Sequence, residues 1–237
     1  MKIIQVFINN SLRNFNYILY SETSKDAIFF DPTDLSQTLP HTKKLGLRPK
    51  FLLNTHKHFD HIADNKKFLE IEGTEHLQMH DNEVLYIDEY SYLKCVDTPG
   101  HTADHQCYFL YEREQCIGVI TGDTVFNAGV GNCKNGGNVS DLYKTIKDKF
   151  IPLEDKVKIY PSHDYFINNL KFAKTIEPSN LKISEYEDKI SNYSEKNEFY
   201  ITSIGEEKLF NPFFRLFLQD NMQEKTFTDL RQKRDKW

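Results

Sequence analysis

The 237-residue chain carries 30 Lys and Arg against 35 Asp and Glu, a formal net charge of −5, and has a pI near 6.0. That balance argues against nucleic acid as the main partner, and no apolar run approaches the ~18–20 residues of a membrane span. With 39% hydrophobic residues, 27% charged residues and a mean hydropathy of −0.61, the composition is that of a soluble globular protein. A chain of this length buries roughly 70–75% of its unfolded surface and folds without disulfide or metal staples.

The N-terminal MKIIQVFINN lacks a signal-like apolar core and cleavage site, so the expected location is the cytoplasm. Strands are expected at IIQVFI, NYILY and AIFFD, then a helix from Asp34 to Lys44 and a buried strand at Lys50–Asn54. A helix is expected at Ile62–Ile71, followed by short strands at EHLQMH, YLKCVD, QCYFLYE and CIGVITGD. After the Gly/Asn-rich stretch 127–138 come a helix at Ser140–Lys149 and a strand at KVKIYP. This alternation points to an α/β sandwich with helices outside. From about Tyr165 the pattern turns helical (NNLKFAKTIE, NLKISEYEDKISNYSEK), with a last helix from Thr226 or Thr228 to Lys233. The expected domains are therefore 1–164 and 165–237. Cys95, Cys107 and Cys116 read as core thiols, while Cys133 lies in a Gly-rich loop that can approach a site.

The chemistry concentrates in Thr55-His56-Lys57-His58-Phe59-Asp60-His61, directly after a buried strand. A lone loop histidine is ordinarily solvated or hydrogen-bonded. Three imidazoles and a carboxylate within six positions would cost several kcal/mol if packed together without a cation. Imidazole suits zinc or iron, and carboxylate oxygen can bridge two ions. Three weaker signals follow in order at strand ends: PGHT with His101, TGDT with Asp123 and PSHDY with His163.

Together THKHFDH, PGHT, TGDT and the His163 segment resemble the metallo-β-lactamase superfamily. The strings GDTVFNAGVG, HDYFINNLKFAKTIEPSN, NPFFR and LRQKRDKW narrow the resemblance to glyoxalase II, the hydroxyacylglutathione hydrolases. It implies an α/β fold, the αββα sandwich of that superfamily with a C-terminal helical domain. It also implies two divalent metal ions, zinc first and iron as the alternative. His56, His58 and His101 would hold one ion, Asp60, His61 and His163 the other, and Asp123 would bridge them. Asp60 and Asp123 are the candidate catalytic carboxylates, Asp60 being placed to orient the nucleophile or accept its proton. A metal-bridging hydroxide would attack the thioester carbonyl of S-(2-hydroxyacyl)glutathiones such as S-D-lactoylglutathione, releasing glutathione and a hydroxy acid in methylglyoxal detoxification.

For substrate binding the resemblance points to Tyr165, and its R-x-x-K pattern falls on Arg231 and Arg234. Arg for Lys still pairs a carboxylate, often bidentately. The loop after GDTVF departs from the family. Asn132 and Lys134 stand where a basic residue and an aromatic are usual, and PSHDY replaces the commoner CGHEY or PGHEY. These changes spare the hydrolytic ligands and leave the thiol carrier open between glutathione and another small thiol. The expected partner is a small-molecule thioester and the expected state a monomer, with neither nucleic acid nor membrane involved. The rival readings are a mononuclear-iron enzyme resembling persulfide dioxygenases, which would not be expected to carry the helical extension, and a degenerate binding module, which would have lost ligands. A class B β-lactamase would want a signal peptide.

Overall fold

The computed structural model describes residues 1–195, 199–218 and 223–237, which group into two compact units. The first comprises Met1–Asp97 and Gln106–Gly122, the second Thr98–His105 and Asp123–Trp237.

In the first unit β1 (Lys2–Phe7), β2 (Phe15–Tyr20) and β3 (Asp26–Phe30) pair antiparallel. Helix α1 (Leu35–Leu45) then crosses to β4 (Arg48–Leu53), which runs parallel to β3. Asp34 caps α1 by accepting from Ser36 N, and Gly46 ends it at φ 63°. Pro49 has no N–H for the ladder, and the β3–β4 register shifts there, pairing Ala27 with Pro49 and Ile28 with Phe51. Two short helices follow, α2 (Phe59–Ile62) and α3 (Asn65–Leu69). Of the EHLQMH stretch only β5 (Glu75–His76) is strand. A core of Val6, Ile18, Phe29, Leu35, Leu52 and Phe68 fills this layer. β6 (Val84–Asp88), β7 (Ser91–Asp97), β8 (Gln106–Glu112) and β9 (Gln115–Gly122) form an antiparallel meander. Phe30 on β3 meets Tyr108 on β8 at 5.2 Å between ring centroids, and Tyr108 Oη donates to Asn54 O at 2.7 Å. That bond ties the two sheets beside the histidine loop.

The expected helix at Ile62–Ile71 is instead two pieces, and hydrogen bonding explains the break. Thr33 Oγ1 donates to Asp60 O at 2.7 Å and Asn54 Nδ2 to His61 O at 2.8 Å, taking carbonyls that a continuous helix would use. Asp64 N turns away to Pro32 O at 3.0 Å. The chain is thereby held in the bend that carries Asp60 and His61.

In the second unit β10 (Val125–Phe126) and β11 (Gly129–Val130) make a tight hairpin. Helix α4 (Val139–Thr145) passes into a π-helical turn at Ile146–Phe150, and β12 spans Lys158–Pro161. Then come α5 (Phe166–Ile176), α6 (Leu181–Glu195), α7 (Ile204–Phe210) and α8 (Pro212–Arg215). The expected α6 ran to Lys196, which lies outside the described residues. Ser203 and Glu206 close a capping box on α7. The last helix, α9 (Glu224–Lys236), is longer at both ends than expected, starting before Thr226 and passing Lys233. Phe166, Leu170, Ile183, Tyr186 and Phe210 make the helical core, with Ala128 of the hairpin packed into it.

Candidate metal centre and pocket

In the first unit the site is organised by Asp31, at the end of β3, buried and in the left-handed region at φ 48°. Its carboxylate accepts from Thr55 N at 2.8 Å, Thr55 Oγ1 at 2.7 Å and His61 Nδ1 at 2.9 Å. Because the Thr55 hydroxyl gives its proton to Asp31, its oxygen accepts from His56 Nδ1 at 3.0 Å. Both imidazoles therefore carry their proton on Nδ1 and a lone pair on Nε2. His56 Nε2 lies 3.0 Å from His58 Nδ1, and His61 Nε2 lies 3.3 Å from Asp60 Oδ2. Asn14 Nδ2 holds that same Asp60 oxygen at 3.0 Å. His56, Asp60 and His61 are buried and His58 is partly exposed.

In the second unit Asp123 faces two histidines, one oxygen to each. His101 Nε2 is 3.4 Å from Oδ2 and His163 Nε2 is 3.4 Å from Oδ1. His101 Nδ1 donates to Asn132 O at 2.7 Å, so its Nε2 also carries the lone pair. Gly131 is obligatory beside this contact, since a Cβ there would lie 2.0 Å from Asp123 O. His105 plays a different part: its Nε2 accepts from Asp123 N at 3.1 Å and its Nδ1 faces Thr98 and Thr124 hydroxyls at 2.9 and 3.0 Å. It fixes the Asp123 backbone and offers no lone pair outward.

The donor set and its spacing fit a divalent cation. Two ligand atoms ~2.05 Å from a tetrahedral ion lie about 3.3–3.4 Å apart. That is the separation of the Asp60–His61, Asp123–His101 and Asp123–His163 pairs. Imidazole lone pairs turned toward carboxylates at that distance repel unless positive charge lies between them. Among the described residues, the His, Cys, Asp and Glu groupings able to hold a metal draw on His56, His58, Asp60, His61, His101, Asp123 and His163 alone. The orienting residues Asp31, Asn14 and His105 were not picked out from the sequence. A carboxylate at a strand end followed by Pro32 was the available signal for Asp31.

All five residues expected to contact substrate line one pocket of about 290 Å³ in the second unit: Asn132, Lys134, Tyr165, Arg231 and Arg234, with Trp237 and Asp235. Their roles there differ. Arg231 is buried, its Nη1 bonded to Val130 O at 2.8 Å and Gly131 O at 3.2 Å and its Nη2 to Asp235 Oδ1 at 2.9 Å. Burial holds its guanidinium below the usual arginine range, with Asp235 opposing. Most of its donors are spent inside the protein. Arg234 is more open, donating to Asn169 Oδ1 at 3.2 Å and stacking against Phe172 and Trp237 at 5.4 and 5.0 Å. Lys134 Nζ reaches Asp235 O at 3.3 Å. Tyr165 stacks on His163 with centroids 4.8 Å apart and rings 4° from parallel. Asn132 contributes its backbone carbonyl to His101 while its side chain caps Lys134 N. All four cysteines are free thiols, and burial pushes that of Cys133 up to about 11 against the pull of Arg231. A larger cavity of about 900 Å³ in the first unit, lined by Met1, Tyr90 and Arg113 among others, holds none of these residues.

Residues 164–237 match the hydroxyacylglutathione hydrolase C-terminus model and residues 22–94 the metallo-β-lactamase superfamily model. A hydroxyacylglutathione hydrolase of Polaromonas sp. is 32% identical over 91% of this chain and 86% of its own length. That of Francisella philomiragia is 35% identical over 91% of this chain and 88% of its own. The chain belongs to the hydroxyacylglutathione hydrolase family. Solved structures show the metallo-β-lactamase fold. ETHE1 from Myxococcus xanthus aligns with TM-score 0.68 at 23% identity, covering 97% of this chain and 95% of that one. A metallo-β-lactamase of Staphylococcus aureus aligns with TM-score 0.70 at 20% identity, covering 97% and 65%. In this hydroxyacylglutathione hydrolase family member the helices α5–α9 follow the sheets, and its His and Asp side chains suit a divalent metal site.

Proposed function

We propose that the protein hydrolyses S-(2-hydroxyacyl)glutathione thioesters such as S-D-lactoylglutathione, releasing glutathione and the hydroxy acid in methylglyoxal detoxification. Family membership through both halves of the chain carries this reading. We further assign His56, His58 and His101 to one ion, Asp60, His61 and His163 to a second, and Asp123 to both. Zinc is the first choice and iron the alternative, because the ligand set accepts either.

When bound, such ions lower the pKa of water to near neutrality and polarise the thioester carbonyl. The chain's own residues do the rest. Asp31, Thr55 and Asn132 keep the imidazole tautomers fixed, so no reorganisation is needed at the moment of reaction. Asp60, held by Asn14, is the carboxylate that orients the nucleophile and takes its proton. Arg234 and Tyr165 of the segment 165–237 and Lys134 of the loop between β11 and α4 would anchor the thiol carrier, while Arg231 braces that pocket from behind. The proposed setting is the cytoplasm, and the proposed working form a monomer acting on a small molecule. Hydrolysis of S-D-lactoylglutathione by metal-replete protein, read from loss of thioester absorbance with a His58→Ala control, tests the reading. Oxygen uptake on a persulfide without thioester loss would reverse it in favour of the mononuclear-iron alternative.

A further inference from the structure

The hairpin between β10 and β11 turns at Ala128, a non-glycine residue at φ 58°. An L-residue held there is strained by roughly 1–2 kcal/mol, and such strain persists only where surroundings over-determine it. Here they do. Ala128 N donates to Glu207 Oε2 at 2.9 Å, from helix α7. The same carboxyl receives Asn211 Nδ2 at 2.8 Å and Thr202 Oγ1 at 2.7 Å. Those two neighbours reach the hairpin themselves, Asn211 Nδ2 at Gly129 O, 3.2 Å, and Thr202 Oγ1 from Asn127 Nδ2, 2.8 Å. Asn169 completes the cage, donating to Asn127 O at 2.9 Å while accepting from Arg234. Glu207 is fully buried.

The residues after the turn supply Val130 O and Gly131 O to Arg231 and Asn132 O to His101. We propose that Glu207 is a positioning residue for ligand binding: it clamps the strained turn at Ala128 and so sets the carbonyls that hold Arg231 and His101. The inference rests on the pocket of Arg234 and Trp237 being the thiol-carrier site. Glu207 touches neither substrate nor metal; its effect passes through the backbone of residues 128–132.

The test uses the single tryptophan of the chain, Trp237, which lines the pocket, so that quenching by S-methylglutathione reports binding without turnover. Wild type, Glu207→Gln, Glu207→Ala and Glu207→Ala with Ala128→Gly are compared in metal-replete form, with circular dichroism reporting the folded fraction. Glutamine keeps an acceptor for Ala128 N, so Glu207→Gln should bind within about threefold of wild type. Glu207→Ala should weaken binding and raise KM about tenfold, and should lose metal faster to a chelator. Glycine removes the strain at 128, so the double variant should recover at least threefold of the lost affinity. A folded Glu207→Ala protein with wild-type KM and affinity overturns the proposal, as does a double variant no better than the single. If Glu207→Ala does not fold, the proposal stands or falls on Glu207→Met, which fills the buried volume but offers Ala128 N no carboxyl acceptor: it should raise KM similarly, and a wild-type KM overturns the proposal. Absence of quenching in wild type would instead sink the assignment of the pocket, a separate result.

Discussion

Asp31 and His61 are joined at 2.9 Å, a buried carboxylate on an imidazole Nδ1, and the same carboxylate takes the Thr55 hydroxyl that holds His56. One side chain thus sets two histidine tautomers. Outer partners of this kind are worth about 10–100-fold in metal affinity. Asp31→Ala should therefore lower metal retention by that factor while leaving the seven proposed ligand side chains in place. Metal content after graded chelator dialysis is the measurement; retention equal to wild type would refute the assignment.

Removal of metal from the wild-type protein should abolish thioester hydrolysis and lower Tm, because an ion bound only by the folded chain stabilises it by mass action. Re-addition of zinc or iron should restore both. A melting temperature indifferent to chelator would contradict the fit of the paired ligands.

Arg231 and Arg234 should separate cleanly. Loss of the buried Arg231 side chain strands Val130 O, Gly131 O and Asp235, a cost of about 3 kcal/mol for breaking a buried pair. Arg231→Ala should therefore show first as a lower Tm. Arg234→Ala should keep Tm within a few degrees and raise KM more than it lowers kcat, because it removes binding shared by ground and transition states. Thermal melts beside Michaelis curves decide the matter.

Glu207 also predicts a pH signature. Burial raises its carboxyl to about 8, above the ordinary 4.5, with Thr202, Asn211 and Ala128 pulling the other way. A folded-state value above the unfolded one means the native protein holds a proton that the unfolded chain releases. Stability from this group is full below about 4.5, falls as pH rises toward 8 and is flat beyond. The wild-type-minus-Glu207→Gln difference in unfolding free energy should decline across that window, and a difference that rises with pH would refute the assignment.

Cys133, its thiol pushed to about 11 by burial, should alkylate slowly at pH 7.5 and much faster at pH 10. Mass spectrometry of iodoacetamide adducts, with Cys116 as internal comparison, would show whether it does.

The histidine cluster was legible as a candidate metal site because its density after a buried strand has no inexpensive alternative, and the strands YLKCVD, QCYFLYE and CIGVITGD followed from apolar runs between turn residues. Asp31 was hidden because one Asp before a Pro looks like any turn; only the folded register brings it to Thr55. The split of the segment into α2 (Phe59–Ile62) and α3 (Asn65–Leu69), where one helix at Ile62–Ile71 was expected, was hidden for a related reason. Its break comes from Thr33 and Asn54, side chains remote in sequence that take helix carbonyls. Arg231 was legible as a pocket residue but its burial was not, since helix α9 reads as a solvated basic segment until Phe227 and Leu230 are seen packed inward. Glu207 gave no signal at all: a Glu in a short capped helix is ordinary until its three donors are known.

The tie between Arg231 and Val130 spans 101 residues of sequence. During synthesis the hairpin and the histidines emerge well before the side chain that secures them. A chain stalled before Arg231 would carry metal-binding groups without the brace that orders Asn132 against His101. Such a truncated product should bind metal loosely and be cut readily by protease near residues 127–132, because the carbonyls of Val130 and Gly131 would lack their distant donor.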